Sequence, residues 1–271
     1  MIEVKGLTKV YRSGMLGREQ KKALDNVSFT LDNGETLGII GESGCGKSTL
    51  SLILAKLLEA TSGSVSLNGR DVSALKGKEL KAYHKQVQII FQNPETALDP
   101  RMKIEKCILE AIRNYDLAPR RSEKERQLLE ELIGKVGLQK EHLSRYCWEL
   151  SGGQIQRAVL ARVIALEPEL LIADEPTSML DVSVQAQILS LIKDLQKKHR
   201  FSMLFISHDL DVVRAVSDRV IVIRHGVLIE EGRTEEVYEH PKQEYTRNLL
   251  DAFYYDKNIP GFRGEGEENC F

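Results

Sequence analysis

Residues Gly41 to Thr49 read GESGCGKST and fit the pattern G-x-x-x-x-G-K-[ST], with Gly41, Gly46, Lys47 and Ser48 in register. The chemistry of such a loop is capture of a polyphosphate. Glycines at Gly41, Gly44 and Gly46 let the chain turn tightly enough for successive N–H groups to face one anion. Glu42, Ser43, Cys45 and Thr49 contribute to the same cradle through their backbones. A helix starting at this point adds positive potential. Lys47 has the reach for β- and γ-phosphates, and the Ser48 hydroxyl can ligate Mg²⁺. Alkylation of Cys45, inside the loop, is expected to obstruct a nucleotide.

Two more groups of chemically loaded residues follow short apolar runs. Leu170–Ala173 leads into Asp174 and Glu175, and Met203–Ile206 leads into Ser207, His208 and Asp209. Adjacent carboxylates past a buried strand are costly unless something compensates them. Mg²⁺ would compensate Asp174, leaving Glu175 to act as general base on the water that attacks a γ-phosphate. His208 could hydrogen-bond that phosphate or the water. Each also has a plainer role: the carboxylates as a turn or helix cap, His208 as a packed histidine. A third run, Val87–Phe91, ends at Gln92. Finally, Leu150-Ser151-Gly152-Gly153-Gln154 opens a segment whose apolar Ile155, Val159 and Val163 lie four apart. Ser151 is a natural N-cap and the glycines expose backbone N–H groups, so a second anion site is possible. By spacing alone the plainer reading there is an N-cap with flexible glycines.

The elements that must position these residues follow from periodicity. Thr36–Ile40 reads as a strand before the glycine-rich loop, and Leu50–Leu58 as a helix after it. Residues 1–35 are β-rich, with Val27–Leu31 alternating into the turn Asp32-Asn33-Gly34, and Ser64–Leu67 is a further strand. From about 100 to 150 the pattern becomes helical, at Ile104, Ile108, Leu109 and Ile112 and again at Leu128, Leu129, Leu132, Ile133 and Val136. The charged stretch Arg120 to Gln127 reads as a solvated loop or helix start. After 150, helices at Gln154–Leu166, Val184–Lys197 and Leu210–Val216 alternate with strands at Leu170–Ala173, Met203–Ile206 and Val220–Ile223. Wholly apolar short strands between helices predict a parallel sheet covered on both faces. In such a sheet ligands bind at the carboxyl ends of strands, where the loaded residues fall.

Composition narrows the class. The chain has 271 residues, is 42% hydrophobic and 29% charged, and carries 38 Lys plus Arg against 40 Asp plus Glu, a net charge of −2. That balance gives no support for a nucleic-acid partner. The four cysteines lack metal-ligand spacing and fit a reducing compartment. No N-terminal targeting signal is read, and no apolar run approaches the ~20 residues needed to span a bilayer. A cytosolic protein able to dock on a membrane protein is the expectation.

Taken together, Gly41–Thr49, Gln92, Leu150–Gln154, Leu171–Glu175, Ser178–Asp181 and His208 resemble, in order, the Walker A, Q-loop, signature, Walker B, D-loop and H-loop motifs of the ATP-binding-cassette (ABC) transporter ATPases. Tyr11 resembles that family's adenine-stacking aromatic. The resemblance implies an α/β P-loop NTPase cassette: a mainly parallel core sheet, an N-terminal antiparallel β-subdomain and an inserted α-helical subdomain. Residues 1–250 would form the nucleotide-binding domain, about 100–150 its helical part; beyond the resemblance, 251–271 is a tail whose Gly- and Glu-rich composition from Asp256 predicts mobility. It further implies ATP and Mg²⁺ as ligands, with Ser48, Gln92 and Asp174 near the metal. Glu175, His208, Lys47 and Gln92 would be catalytic. Ser151, Gly152, Gly153 and Gln154 would close on ATP held by a second cassette.

Narrower features resemble the dipeptide, oligopeptide and nickel importers: Arg12–Arg18, Phe91–Pro94, Leu98–Met102, Asp181–Gln187 and the stretch His240–Leu249. Met179 departs from the small residue usual in the D-loop, and Leu98-Asp99 stands where Leu-Asn is commoner. The cysteine cluster of some partner ATPases is absent from the tail, where only Cys270 stands. The implied assembly has a second, different ATPase subunit, two transmembrane permease subunits and an extracytoplasmic solute-binding protein, with this chain on the cytoplasmic face of the membrane. Peptide is the first expected solute and nickel or a metal chelate the second. A soluble, non-transport cassette and a regulatory nucleotide-binding subunit are the rival readings. The first usually carries two cassettes or a long coiled coil, which this chain lacks. The complete Asp174, Glu175 and His208 set argues against the second.

Overall fold

A computed structural model describes residues 1–13 and 19–258. It contains two sheets. The first is antiparallel, in the order β2-β1-β4-β5, from Ile2–Ser13 (β1), Glu19–Leu31 (β2), Ser62–Leu67 (β4) and Arg70–Asp71 (β5). The second has six strands, in the order β10-β9-β3-β8-β7-β6. These are Thr36–Ile40 (β3), Val87–Ile90 (β6), Leu170–Asp174 (β7), Ser202–Ile206 (β8), Arg219–Arg224 (β9) and Val227–Arg233 (β10). Pairing is parallel from β9 through β6, and only β10 runs antiparallel to its neighbour.

Every residue of β3, β7 and β8 is buried, which is why these strands read as unbroken apolar runs. One face packs on the antiparallel sheet and helix α1, Lys47–Leu54; Ile39, Ile172, Leu204 and Ile206 belong to this core. The other face packs under the helices that follow residue 100, through Ile40, Leu171, Met203 and Phe205. A fully buried Ile or Leu of this kind contributes about 1.5–3 kcal/mol.

The helical block between 100 and 150 consists of α3 (Ile104–Asn114) and α4 (Glu123–Val136), with 3-10 turns at Lys140–Ser144 and Cys147–Glu149. Helix α3 buries Ile104, Cys107, Ile108 and Ile112 on one stripe. The charged stretch Arg120 to Gln127 starts α4 and faces solvent, as expected, with Glu125 the exception. Glu125 is buried and takes a two-pronged hydrogen bond from Arg113, 2.7 and 2.9 Å, plus the Arg121 N–H at 2.8 Å.

The remaining helices are α2 (Gly77–Gln86), α5 (Gly152–Ile164), α6 (Val182–His199), α7 (Leu210–Val216), α8 (Thr234–Glu239) and α9 (Glu244–Asn258). The boundary expected at 250 falls inside α9, so residues 251–258 continue a helix and do not open a tail. Residues 259–271, with Cys270, lie outside the described residues, as do residues 14–18 of the Arg12–Arg18 insert. Among the described residues, no helix is long and apolar enough to cross a membrane.

Candidate functional site

The strand order gathers the chemistry. Strands β3, β8, β7 and β6 are consecutive neighbours and parallel, so their carboxyl ends lie side by side. Those ends carry, in turn, the glycine-rich loop, His208, Asp174 with Glu175, and Gln92. No pair of these is local in sequence except Asp174 and Glu175; the sheet alone makes them neighbours.

The loop is seated by its glycines. Gly41 (φ +150°) and Gly46 (φ +117°) adopt backbone conformations that side chains disfavour, and a Cβ at either would strike the carbonyl of Ile223 or Ala23. Helix α1 starts at Lys47, three residues before the expected Leu50, so Lys47, Ser48 and Thr49 form its first turn. Lys47 Nζ folds back over the loop, donating to the Gly41 carbonyl at 2.6 Å and the Glu42 carbonyl at 2.9 Å.

A cavity of about 690 Å³ opens over this loop. It is lined by Tyr11, Gly41 to Gly44, Gly46 to Thr49, Glu175 and His208. Tyr11 is 40% exposed, its hydroxyl 3.5 Å from Thr49 Oγ1 and its ring beneath Lys9 Nζ. An exposed aromatic face at the rim of a polyphosphate cradle suits a planar base.

Glu175 stands in the left-handed region (φ +52°), an uncommon conformation for a residue with a side chain. Its Oε2 accepts from Gln92 Nε2 at 2.8 Å and lies 3.5 Å from His208 Nδ1. Asp174 is 8% exposed. Burial pushes its carboxyl above the usual aspartate range, and the charge of Glu175 pushes the same way. Hydrogen bonds from the Ser48 and Ser51 hydroxyls and the charge of Lys47 partly offset this. A buried carboxylate oxygen beside a serine hydroxyl is the hard-oxygen donor set that Mg²⁺ takes. Among the described residues no group of three His, Cys, Asp or Glu is arranged to hold a metal. The donor set fits Mg²⁺ if phosphate oxygens and water complete the shell.

Cys45, inside the loop, does not line the cavity. Its side chain is 5% exposed and lies behind the loop, with Sγ 3.8 Å from Lys47 Nζ. Burial pushes the thiol up despite the Lys47 charge.

Ser151, Gly152, Gly153 and Gln154 do not join this cavity. They form a capping box at the start of α5: the Gln154 N–H donates to Ser151 Oγ at 3.4 Å, and Ser151 N donates to Gln154 Oε1 at 3.0 Å. Asp181, expected in the D-loop, caps α6 by accepting from Val184 N at 3.0 Å.

Sequence reading missed one wall of the cavity. Leu249, Ala252 and Phe253 of α9 line it, with Leu210. Their only local signal is a weak helical period, and nothing in it ties them to a loop two hundred residues earlier.

Comparison with known proteins agrees with this geometry. The ABC transporter family model matches residues 24–178. The chain belongs to the ABC transporter family. This cassette is 45% identical over 254 residues to the oligopeptide transport ATP-binding protein OppF of Bacillus subtilis, covering 93% of this chain and 82% of that one. It is 42% identical over 273 residues to the di/tripeptide transport ATP-binding protein DppF of Pseudomonas aeruginosa, covering 98% and 84%. Among solved structures, the cassette resembles the ATP-binding cassette MJ0796, described as dimeric in a post-hydrolysis state bound to ADP and Pi. The TM-score is 0.77 at 29% identity, over 86% of this chain and 99% of that one.

Proposed function

We propose that this cassette is the ATP-hydrolysing subunit of a peptide importer, working on the cytoplasmic face of a membrane through separate permease subunits. One observation carries the catalytic half: four adjacent parallel strands deliver the phosphate loop, His208, Asp174 with Glu175, and Gln92 to one place. The transport half is supported by relatives named for dipeptides and oligopeptides that align along almost the whole chain. Those relatives do not favour the nickel alternative.

Tyr11 stacks on the adenine, and the loop amides with Lys47 take the phosphates. Ser48 and Asp174 would hold Mg²⁺, with Gln92 as a further candidate ligand. Bound there, Mg²⁺ would neutralise charge on the β- and γ-phosphate oxygens. Glu175 accepts the proton of the attacking water, and His208 holds the γ-phosphate side of that water. Gln92 fixes the Glu175 carboxylate and sits at the start of the segment leading into the helical block. Movement at the γ-phosphate therefore reaches the surface that would meet a permease.

The Ser151–Gln154 helix start does not line its own cavity and serves the ATP of a second, different ATPase subunit. ATP held between two subunits favours the closed pair, and hydrolysis releases it. An extracytoplasmic solute-binding protein would supply the peptide.

Glu175→Gln keeps size and hydrogen bonding while removing the base. It should retain ATP affinity within about twofold and lower turnover at least about 100-fold. Phosphate release and nucleotide titration read the two separately, and near-wild-type turnover would refute the role of Glu175. Uptake of labelled peptide by vesicles carrying the purified assembly tests the transport half.

A further inference from the structure

The phosphate loop has a support outside the motifs that resemble the ABC family's nucleotide site. Its Gly41–Glu42 peptide is held at both ends. The Gly41 carbonyl accepts from Lys47 Nζ at 2.6 Å, and the Glu42 N–H donates to the Tyr245 hydroxyl at 3.3 Å. Tyr245 lies 203 residues further along the chain, in the first turn of α9.

The tyrosine is itself fixed. Its ring stacks beneath the Arg224 guanidinium at 4.8 Å, at the end of β9. The start of α9 is gathered by one buried carboxylate, Glu230 on β10. Glu230 accepts from Lys242 N at 2.8 Å, Gln243 N at 3.1 Å and Thr246 Oγ1 at 2.5 Å. The same helix carries Leu249, Ala252 and Phe253 into the cavity wall. An unbroken set of contacts therefore runs from the sheet edge through α9 to the loop.

We propose that Tyr245 is a positioning residue for nucleotide binding, tethering the Gly41–Glu42 peptide when Lys47 turns to the phosphates. The proposal rests on reading Gly41–Thr49 as the ATP phosphate site. Lys47 has three N–H donors, and two serve the Gly41 and Glu42 carbonyls. Engaging phosphate draws on those donors and loosens the corner of the loop they hold. The tyrosine tether is independent of Lys47 and keeps that corner in place, so the remaining amides stay aimed at the anion. Without it, part of the binding free energy goes into ordering the loop.

Tyr245→Phe tests this, because it keeps the ring, the Arg224 stack and the helix while removing only the hydroxyl and its hydrogen bonds to Glu42. One neutral hydrogen bond corresponds to about a two- to tenfold change in affinity. The expected result is a rise of that size in the dissociation constant and KM for ATP, with kcat within about twofold and an unchanged Tm. Glu230→Gln, which loosens the base of α9, should shift KM in the same direction while lowering Tm. Lys47→Ala separates the two layers of the argument. If Lys47→Ala loses ATP and Tyr245→Phe binds like wild type, the tether is overturned and the phosphate site stands. A Tyr245→Phe variant that lowers Tm with KM unmoved would make the contact merely structural and also overturn it. If Lys47→Ala binds ATP like wild type, the phosphate-site reading itself fails.

Discussion

At the scale of single residues, the site depends on side chains whose surroundings contradict their ordinary behaviour. Asp174 is buried beside a second carboxylate, and Glu175 sits in a backbone conformation that costs about 1–3 kcal/mol to hold. Both are sensible if a cation and a phosphate complete the site. Cys45 is the opposite case, a residue of reactive type made inert by position. Its thiol is buried behind the loop and pushed up, so little thiolate is present at neutral pH. Maleimide labelling of Cys45, followed by mass spectrometry, should be slow at neutral pH and quicken as pH rises. Any adduct must displace the loop around Gly41 and Lys47, so labelled protein should lose ATP binding. Labelled protein that still binds ATP would contradict this placement. Gly41–Thr49, Gln92, Asp174, Glu175 and His208 were all legible in sequence, because each lies in a short motif or just past an apolar run. The Tyr245 contact was not, since no local pattern joins residues 203 apart.

At the scale of elements, legibility followed the contrast between buried and exposed positions. Strands β3, β7 and β8 and helices α3 and α5 announce themselves through dense apolar burial. Helix α2 buries only Tyr83, so it offers no stripe to read. Strand β10 inverts the usual alternation: its one buried residue is Glu230, while Val227 is exposed. Helix α4 was legible as a helix but not in its chemistry, because Glu125 looks like one more surface charge until Arg113 is placed beside it. That pair makes a prediction. Arg113, followed by the Arg121 N–H, holds the Glu125 carboxyl down from 4.5 to about 2. A depressed carboxylate stabilises the fold fully above its unfolded value and loses that contribution as pH falls towards its folded value. Melting temperature should therefore drop between about pH 5 and 2, and Glu125→Gln should flatten that slope. At neutral pH, Arg113→Ala would leave the Glu125 carboxylate with the Arg121 N–H and cost about 1.5–3 kcal/mol. An unchanged slope in Glu125→Gln would show that the pair contributes nothing to acid sensitivity.

At the scale of the whole molecule, the two anion-directed helix starts are far from equivalent. Helix α1 begins inside a cavity lined by Tyr11, Ser48, Glu175 and His208, whereas α5 begins at Ser151 outside it. A chain working alone would have little use for the second. Gly152→Asp separates the two. A Cβ at Gly152 would meet only Leu180 Cδ2, at 2.9 Å, the far end of a flexible side chain. At Gly153 it would meet the stiffer Val184 at 2.6 Å. An aspartate in the first turn also suits the helix dipole, so α5 should remain folded. The carboxylate would nonetheless repel any phosphate presented to that helix start by another subunit. ATP affinity of the isolated chain should thus stay within about twofold of wild type, because its own cavity is untouched. Turnover of the assembled transporter should fall at least about tenfold. Parallel nucleotide titration of the free chain and phosphate release by the complex decide the matter. Loss of ATP binding in the isolated Gly152→Asp chain would place Ser151–Gln154 at this chain's own nucleotide and remove the reason for a second subunit at the site.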